Sequence, residues 1–404
     1  MLSETVHSGR SPLAIPAFRW LWAGWTFTGL GIQVYAVALV WLVLELTGSG
    51  LNLGTVLTAA AVPRAMIMLV SGVLIDRTSP RLALLVAGLI SAVLLGSLAV
   101  LTALGWIQFL GLLAIAAVQG LMDAFFYPAA MAQLARTVVP AQLTQANALF
   151  QTSDSIANIL GPALGGLLVG AVGLVPALGV NSGLFLIGVL LILAISPTAE
   201  QQALDQPEMP FGKALIEGLR YAWERPAVRL SLVMIALLNF AAIGPTLVGG
   251  AMLVSQRFGG EATMFGWLLA GYGVGALFGG LGAGWMPKVA HPNLLLAWLM
   301  VGMGLGMGLT GVAPNFWVAF GLQAAMGVGV GMLTVIAVSW LQEQTSAAMQ
   351  GRMASLLVFS AVALDPFSNG LAGVISELSL TGLFVGAGVL MLVVGIVVLG
   401  RREG

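Results

Sequence analysis

Four ionisable side chains, Arg64, Asp123, Asp154 and Asp365, stand inside long apolar runs of this chain. Burying a charge in such surroundings costs at least about 3 kcal/mol, so each needs a partner or a purpose. Two kinds of chemistry fit. One is a buried ion pair that fixes packing. The other is a carboxylate that takes up and releases a proton, with burial and a nearby guanidinium competing to set its affinity. Other chemistries lack their residues. Cysteine is absent, and the two histidines, His7 and His291, lie outside the apolar runs. There is no His-Glu-x-x-His, no Gly-x-Ser-x-Gly and no Walker phosphate loop. Neither an enzyme, nor a metal or cofactor site, nor an ATP-driven pump is expected.

The elements that position these residues follow from composition. Of the 404 residues 59% are hydrophobic and 7% charged, against about 25% charged in an ordinary soluble domain. The chain reads as an integral membrane protein. Runs of about 20 apolar residues, long enough to cross a bilayer core of about 30 Å, recur throughout. Helices satisfy their own backbone and can span; no window alternates apolar and polar as a barrel strand does. Formal net charge is zero, so nothing points to nucleic acid.

Cutting at Gly, Pro and charge clusters predicts an all-α protein of twelve spans in two six-helix halves. The expected organisation is a polar tail over 1–17, a first bundle over 18–196, a linker over 197–227, a second bundle over 228–400 and a tail over 401–404. The opening residues have no apolar core or small-residue cleavage site and read as a tail, not a signal peptide. Within the linker, FGKALIEGLRYAWERP reads as an amphipathic helix lying on membrane lipid. With the N-terminus inside, thirteen of the fifteen Lys and Arg residues fall on the cytoplasmic side, leaving Arg257 outside and Arg64 within a span. That asymmetry predicts two cytoplasmic termini. At 1.5 Å per residue, Arg64, Asp123 and Asp154 lie about 18, 17 and 14 Å from the cytoplasmic ends of spans 2, 4 and 5, close to one depth.

The halves repeat. LVSGVLIDRTSPRLALLVAGLI lies over LFGGLGAGWMPKVAHPNLLLAWLM, with Gly72 over Gly280 and Arg81 one place from Lys288. Internal duplication is the build of many secondary transporters. The second copy has Tyr272 in place of Arg64 and Gly284 in place of Asp76, so the charge cluster belongs to the first half. Asp76, Arg77 and Arg81 fall on the turn between spans 2 and 3. The arginines fit a positive-inside anchor. Asp76 does not, because a carboxylate gains nothing from the positive-inside rule; an acid at the last turn of a span suggests a fixed partner, such as a helix N-terminus or an arginine.

GVLIDRTSPR resembles the loop motif of the major facilitator superfamily between its second and third helices. The resemblance implies that Gly72, Asp76, Arg77 and Arg81 form a gating latch, in which Asp76 docks on the start of helix 11 in the outward-facing state. ANILGPALGGLL, with Gly161, Pro162, Gly165 and Gly166, is similar to the glycine-proline pattern of exporters in that superfamily, with Ala157 in place of its first glycine; hinge motion or close helix packing would use it. FRWLWAGWTFTGLG, LTGSG and DAFFYPA extend the resemblance over nearly the whole chain, nearest to macrolide and siderophore exporters. It departs before Gln119, where AIAAV lacks the arginine that drug exporters often carry.

On this resemblance span 4 lines a central cavity, making Asp123, flanked one turn either side by Gln119 and Tyr127, the first candidate proton carrier; Asp154 and Asp365 follow, with Arg64 as counter-charge. Further cavity candidates are Trp25, Gln33, Tyr35, Phe126, Asn239 and Gln323. The expectation is a monomeric exporter of small hydrophobic compounds, exchanging them for protons by alternating access in a bacterial inner membrane. A lysophospholipid or siderophore transporter of the same fold, or a membrane sensor that transports nothing, are the alternatives.

Overall fold

The computed structural model describes residues 11–77, 79–196, 217, 220–287, 289, 291–345 and 349–400. Residues 1–10 of the expected 1–17 tail, the tail at 401–404 and most of the linker lie outside the described residues. Among those described there is no strand, and twelve helices are long and apolar enough to cross a membrane. The first six are Pro16–Thr47, Gly50–Arg77, Pro80–Ala103, Phe109–Thr137, Leu143–Val172 and Leu174–Leu193. Span 7 starts at Pro226 and ends at Arg257; spans 8, 9 and 10 are Ala262–Trp285, Pro292–Thr310 and Phe316–Glu343. Span 11 comes in two pieces, Gln350–Val362 and Asp365–Leu378, and span 12 is Leu380–Gly400.

The chain divides by contacts into two units, residues 1–38 with 62–207 and residues 39–61 with 208–404. Spans 1 and 2 therefore change unit partway, span 2 between Ala61 and Val62, beside the helix-interior Pro63.

Glycine faces set the packing of the second unit. A Cβ on Gly275, Gly279, Gly327 or Gly331 would collide with the backbone oxygen of Ala324, Val328, Tyr272 or Ala276, so spans 8 and 10 touch main chain to main chain. Spans 9 and 12 meet likewise, at Gly304 against Gly388 and at Gly395 against Ala297. Lipid tails are as apolar as leucine, so close contact rather than hydrophobic exclusion holds such helices together.

Two spans here are irregular, each at a proline. Pro245 has no N–H for the carbonyl of Ala241, and span 7 continues as π-helical Pro245–Gly249 and Leu253–Arg257 around Gly250–Met252. Just before the irregularity, the Ser368 hydroxyl donates to Phe240 O (2.6 Å) and accepts from Gly244 N (2.8 Å), sitting across one turn of span 7. Gly244 admits it, since a Cβ there would strike the backbone of Ser368. Pro366 similarly has no donor for Val362, and span 11, expected as one run, turns at Ala363–Leu364.

Two arginines, Arg81 of the expected cytoplasmic loop and Arg257, the basic residue expected outside, cap helices. Arg81 donates to Leu193 O (3.0 Å) and Ile192 O (3.4 Å), satisfying the end of span 6. Arg257 donates to Gly311 O, just past span 9, and to Thr381 Oγ1 (2.7 Å) at the start of span 12. At the described end of the linker, Ala222 is buried with Val228, Leu232, Leu341, Met353 and Leu356, while Trp223 is exposed.

Gly279→Ala and Gly331→Ala should each destabilise the fold by about 1–3 kcal/mol, as overpacking does. Gly282→Ala, where a Cβ meets nothing within 4 Å, is the control. Thermal melts in detergent check this; equal melting temperatures for all three variants would contradict it.

Candidate functional site

In the first unit, i, i+4 spacing aligns the chemistry-bearing residues on their helices. Span 4 presents Gln119, Asp123 and Tyr127 at successive turns, and span 5 presents Phe150, Asp154 and Asn158. Span 1 lies against span 5 because that helix offers glycine there. A Cβ on Gly161 would collide with Gln33 Cβ, and one on Gly165 would come within 3.1 Å of Val34 Cα and O and of Val37 Cβ. Gly166 and Pro162 are buried on the same helix.

That approach fixes two contacts. Trp25 Nε1 donates to Asp154 Oδ1 at 2.7 Å, and Gln33 Nε2 donates to Asn158 Oδ1 at 2.5 Å, one turn along. The Trp25 ring stacks on Phe150 at 5.8 Å and meets Tyr127 edge-on at 6.3 Å, which orients the indole N–H toward the carboxylate. Thr26 Oγ1 donates to Ser153 Oγ (3.1 Å) on the next residues of both helices.

The second carboxylate is held from its own helix. Gln119 Nε2 donates to Asp123 Oδ1 at 3.0 Å, while Gln119 Oε1 is buried without a protein partner. Asp123 also interacts electrostatically with Arg64 and with Tyr35, and Tyr127 with Asp154. The Tyr35 hydroxyl is buried and unpartnered, and its backbone N–H is met by Asn181 of span 6 (3.2 Å), whose amide nitrogen, turned toward Gly31, donates to Gly31 O (2.8 Å). Neither Asp123 nor Asp154 forms a direct ion pair with Arg64; among the described residues the ion pair present is Arg220–Glu224, on the surface. The arrangement is therefore two carboxylates, each bonded to a neutral donor, with one guanidinium acting on Asp123 at a distance.

Other expected residues fall elsewhere. Phe126 packs into the core on Phe185 of span 6 at 5.9 Å. In the second unit, Asn239 donates to Ile235 O of its own helix (2.9 Å). Gln323 is fully buried in span 10 with both amide atoms unpartnered. Asp365 is buried at the first turn of the second piece of span 11, where the helix N-terminus favours negative charge. The side chains of Gly72, Asp76 and Arg77 lie outside the described residues. Reading the sequence missed Asn158, Thr26 and Ser153. Asn158 was legible, standing four residues beyond Asp154 and hence on its face.

The sequence profile described as transmembrane secretion effector matches residues 7–402. The chain is similar to the multidrug efflux pump Tap of Mycolicibacterium fortuitum, 26% identical over 405 residues that cover 97% of this chain and 96% of that protein. It is similar to the enterobactin exporter EntS of Escherichia coli, 27% identical over 261 residues, 63% of this chain and 61% of that one. The crystal structure of a mutant of the nucleoside transporter NupG shares its fold, with a TM-score of 0.71 and 12% identity over 95% of this chain and 100% of that one.

Trp25→Phe keeps the ring stack on Phe150 but removes the donor to Asp154. It should cost about 1–3 kcal/mol, the range for a hydrogen bond to a charged group. Trp25→Ala should cost more, about 3–5 kcal/mol, because it also opens a cavity. Melting temperatures of the two variants check the order; equal losses would mean the indole N–H contributes nothing.

Proposed function

Because the chain belongs to the transmembrane secretion effectors of the major facilitator superfamily, we propose that it exports hydrophobic, drug-like compounds in exchange for protons. It is an integral membrane transporter of the exporter kind, and its substrates are small molecules. Export works by alternating access across a bacterial inner membrane, with both termini in the cytoplasm, as the thirteen-of-fifteen basic asymmetry supports. A monomer suffices for this mechanism.

The observation that carries the proton reading is the way Asp123 and Asp154 are held. A carboxylate locked in a direct ion pair must break that pair to be neutralised, at a cost of about 3–5 kcal/mol for a buried one. Here the bonded partners are Gln119 and Trp25, and each can stay in place as its carboxyl gains a proton. Arg64 supplies an opposing charge that acts on Asp123. The exposed ring of Tyr127, packed edge-on to the buried indole of Trp25, offers flat apolar surface beside the acids, suited to an aromatic or cationic drug. Loading a proton and loading substrate then compete for one polar patch, which is the requirement for exchange. Asp365 is the second carrier to test. Similarity to an enterobactin exporter supports a siderophore as the alternative cargo, and thermal stabilisation across drugs, siderophores and lysolipids separates the two.

Two experiments follow. Reporter fusions at both termini and within 197–227 should report the cytoplasm, and an external linker would overturn the orientation. For coupling, Asp123→Asn mimics a neutral state the cycle already visits. The variant should melt near wild type and bind substrate, yet lose uphill efflux driven by a pH gradient in proteoliposomes. If Asp123 serves only to offset the charge of Arg64, the same change should instead lower the melting temperature clearly below wild type. A stable variant that still pumps uphill would remove Asp123 from the mechanism.

A further inference from the structure

Glu377 stands at the last turn of span 11, where its negative charge opposes the dipole of its own helix. Its partner is a different helix. Glu377 Oε1 accepts from Ser49 Oγ at 2.7 Å and from Leu51 N at 3.1 Å, at the N-terminus of span 2. Ser49 in turn caps that helix, its Oγ accepting from Asn52 N at 3.3 Å. The carboxylate thus answers N–H and hydroxyl groups that span 2 cannot satisfy internally.

The two helices run antiparallel and touch for two turns beyond this point. A Cβ on Gly50 would collide with Ser376 Oγ, and one on Gly54 would come within 2.7 Å of Gly373 Cα. Farther along, Thr58 Oγ1 donates to Pro366 O at 3.1 Å. All these residues lie in the second unit, although Ser49–Thr58 belongs by sequence to the first six spans.

We infer that Glu377 is a latch that holds the start of span 2 against the end of span 11, closing the face opposite the linker; this rests on the alternating-access reading. It is the counterpart of Asp76. Each is an acid at the last turn of its helix; Glu377 answers the first turn of span 2, and on the resemblance Asp76 is expected to dock on the start of span 11 at the other end. Alternation lets one end be closed at a time, so the two latches exclude each other. When the Glu377 end opens, its exposed carboxylate loses these two donors beside the negative end of its own helix, and the start of span 2 loses an acceptor. The closed end is favoured by that difference.

The test uses spin labels on Leu46→Cys and Leu378→Cys, both exposed positions in a chain with no other cysteine, with pulsed distance measurements on the full-length protein in detergent without substrate. Wild type should show a short and a long distance. Glu377→Ala should lower the ratio of short to long about three- to tenfold, as for a charge-assisted hydrogen bond at an exposed site. Ser49→Ala, which removes one donor to Glu377 together with the side-chain cap of span 2, should move it the same way by less. Asp76→Asn should move it the opposite way. Two distances whose ratio neither Glu377→Ala nor Ser49→Ala changes would overturn the latch while alternating access stands. A single distance that Asp76→Asn also leaves unmoved would remove alternating access, and the latch with it.

Discussion

Main-chain contact between helices at glycine is the constraint on which the rest of this structure depends. In lipid, two apolar helices gain nothing by hiding from their solvent, so they associate only where backbones come close enough for dispersion and polar contacts to act. Spans 8 and 10 meet this way at Gly275, Gly279, Gly327 and Gly331, and spans 9 and 12 at Gly304 and Gly388. The same device serves chemistry. Gly161 and Gly165 bring span 1 against span 5, and only at that separation can an indole on one reach a carboxylate on the other. Gly54 and Gly373 likewise bring Ser49 within reach of Glu377.

The polar groups that these contacts assemble are few, and most are bonded to neutral partners. Such bonds orient a carboxylate without committing it to one charge state. Arg64 acts on Asp123 without a direct ion pair between them.

Much of this was legible before any coordinates. Composition and run length give helices and a membrane, and the twelve spans follow from Gly, Pro and charge. Gln119, Asp123 and Tyr127 share a face by spacing alone. Other features depend on which way a face points, which a nearly all-apolar helix does not reveal. Phe126 turns to Phe185 in the core, and Asn239 bonds its own helix. Pro366 was in plain view, but whether a proline kinks a span or interrupts it depends on neighbours, here the joint of Ser368 with span 7. Arg81 reads as a topology signal because capping of span 6 is a contact 112 residues away. The Ser49–Glu377 bond joins residues 328 apart and has no local pattern at all.

Coupling of export to protons at the Arg64, Asp123 and Asp154 cluster is the central claim, and accumulation against a gradient tests it most directly. Everted membrane vesicles holding the full-length protein would be given lipophilic cations and macrolides, with an imposed pH gradient and no nucleotide. The account predicts uphill accumulation of at least one compound, abolished at once when a protonophore collapses the gradient. Uphill accumulation that survives the collapse, or movement that never exceeds equilibrium at any pH gradient, would contradict it.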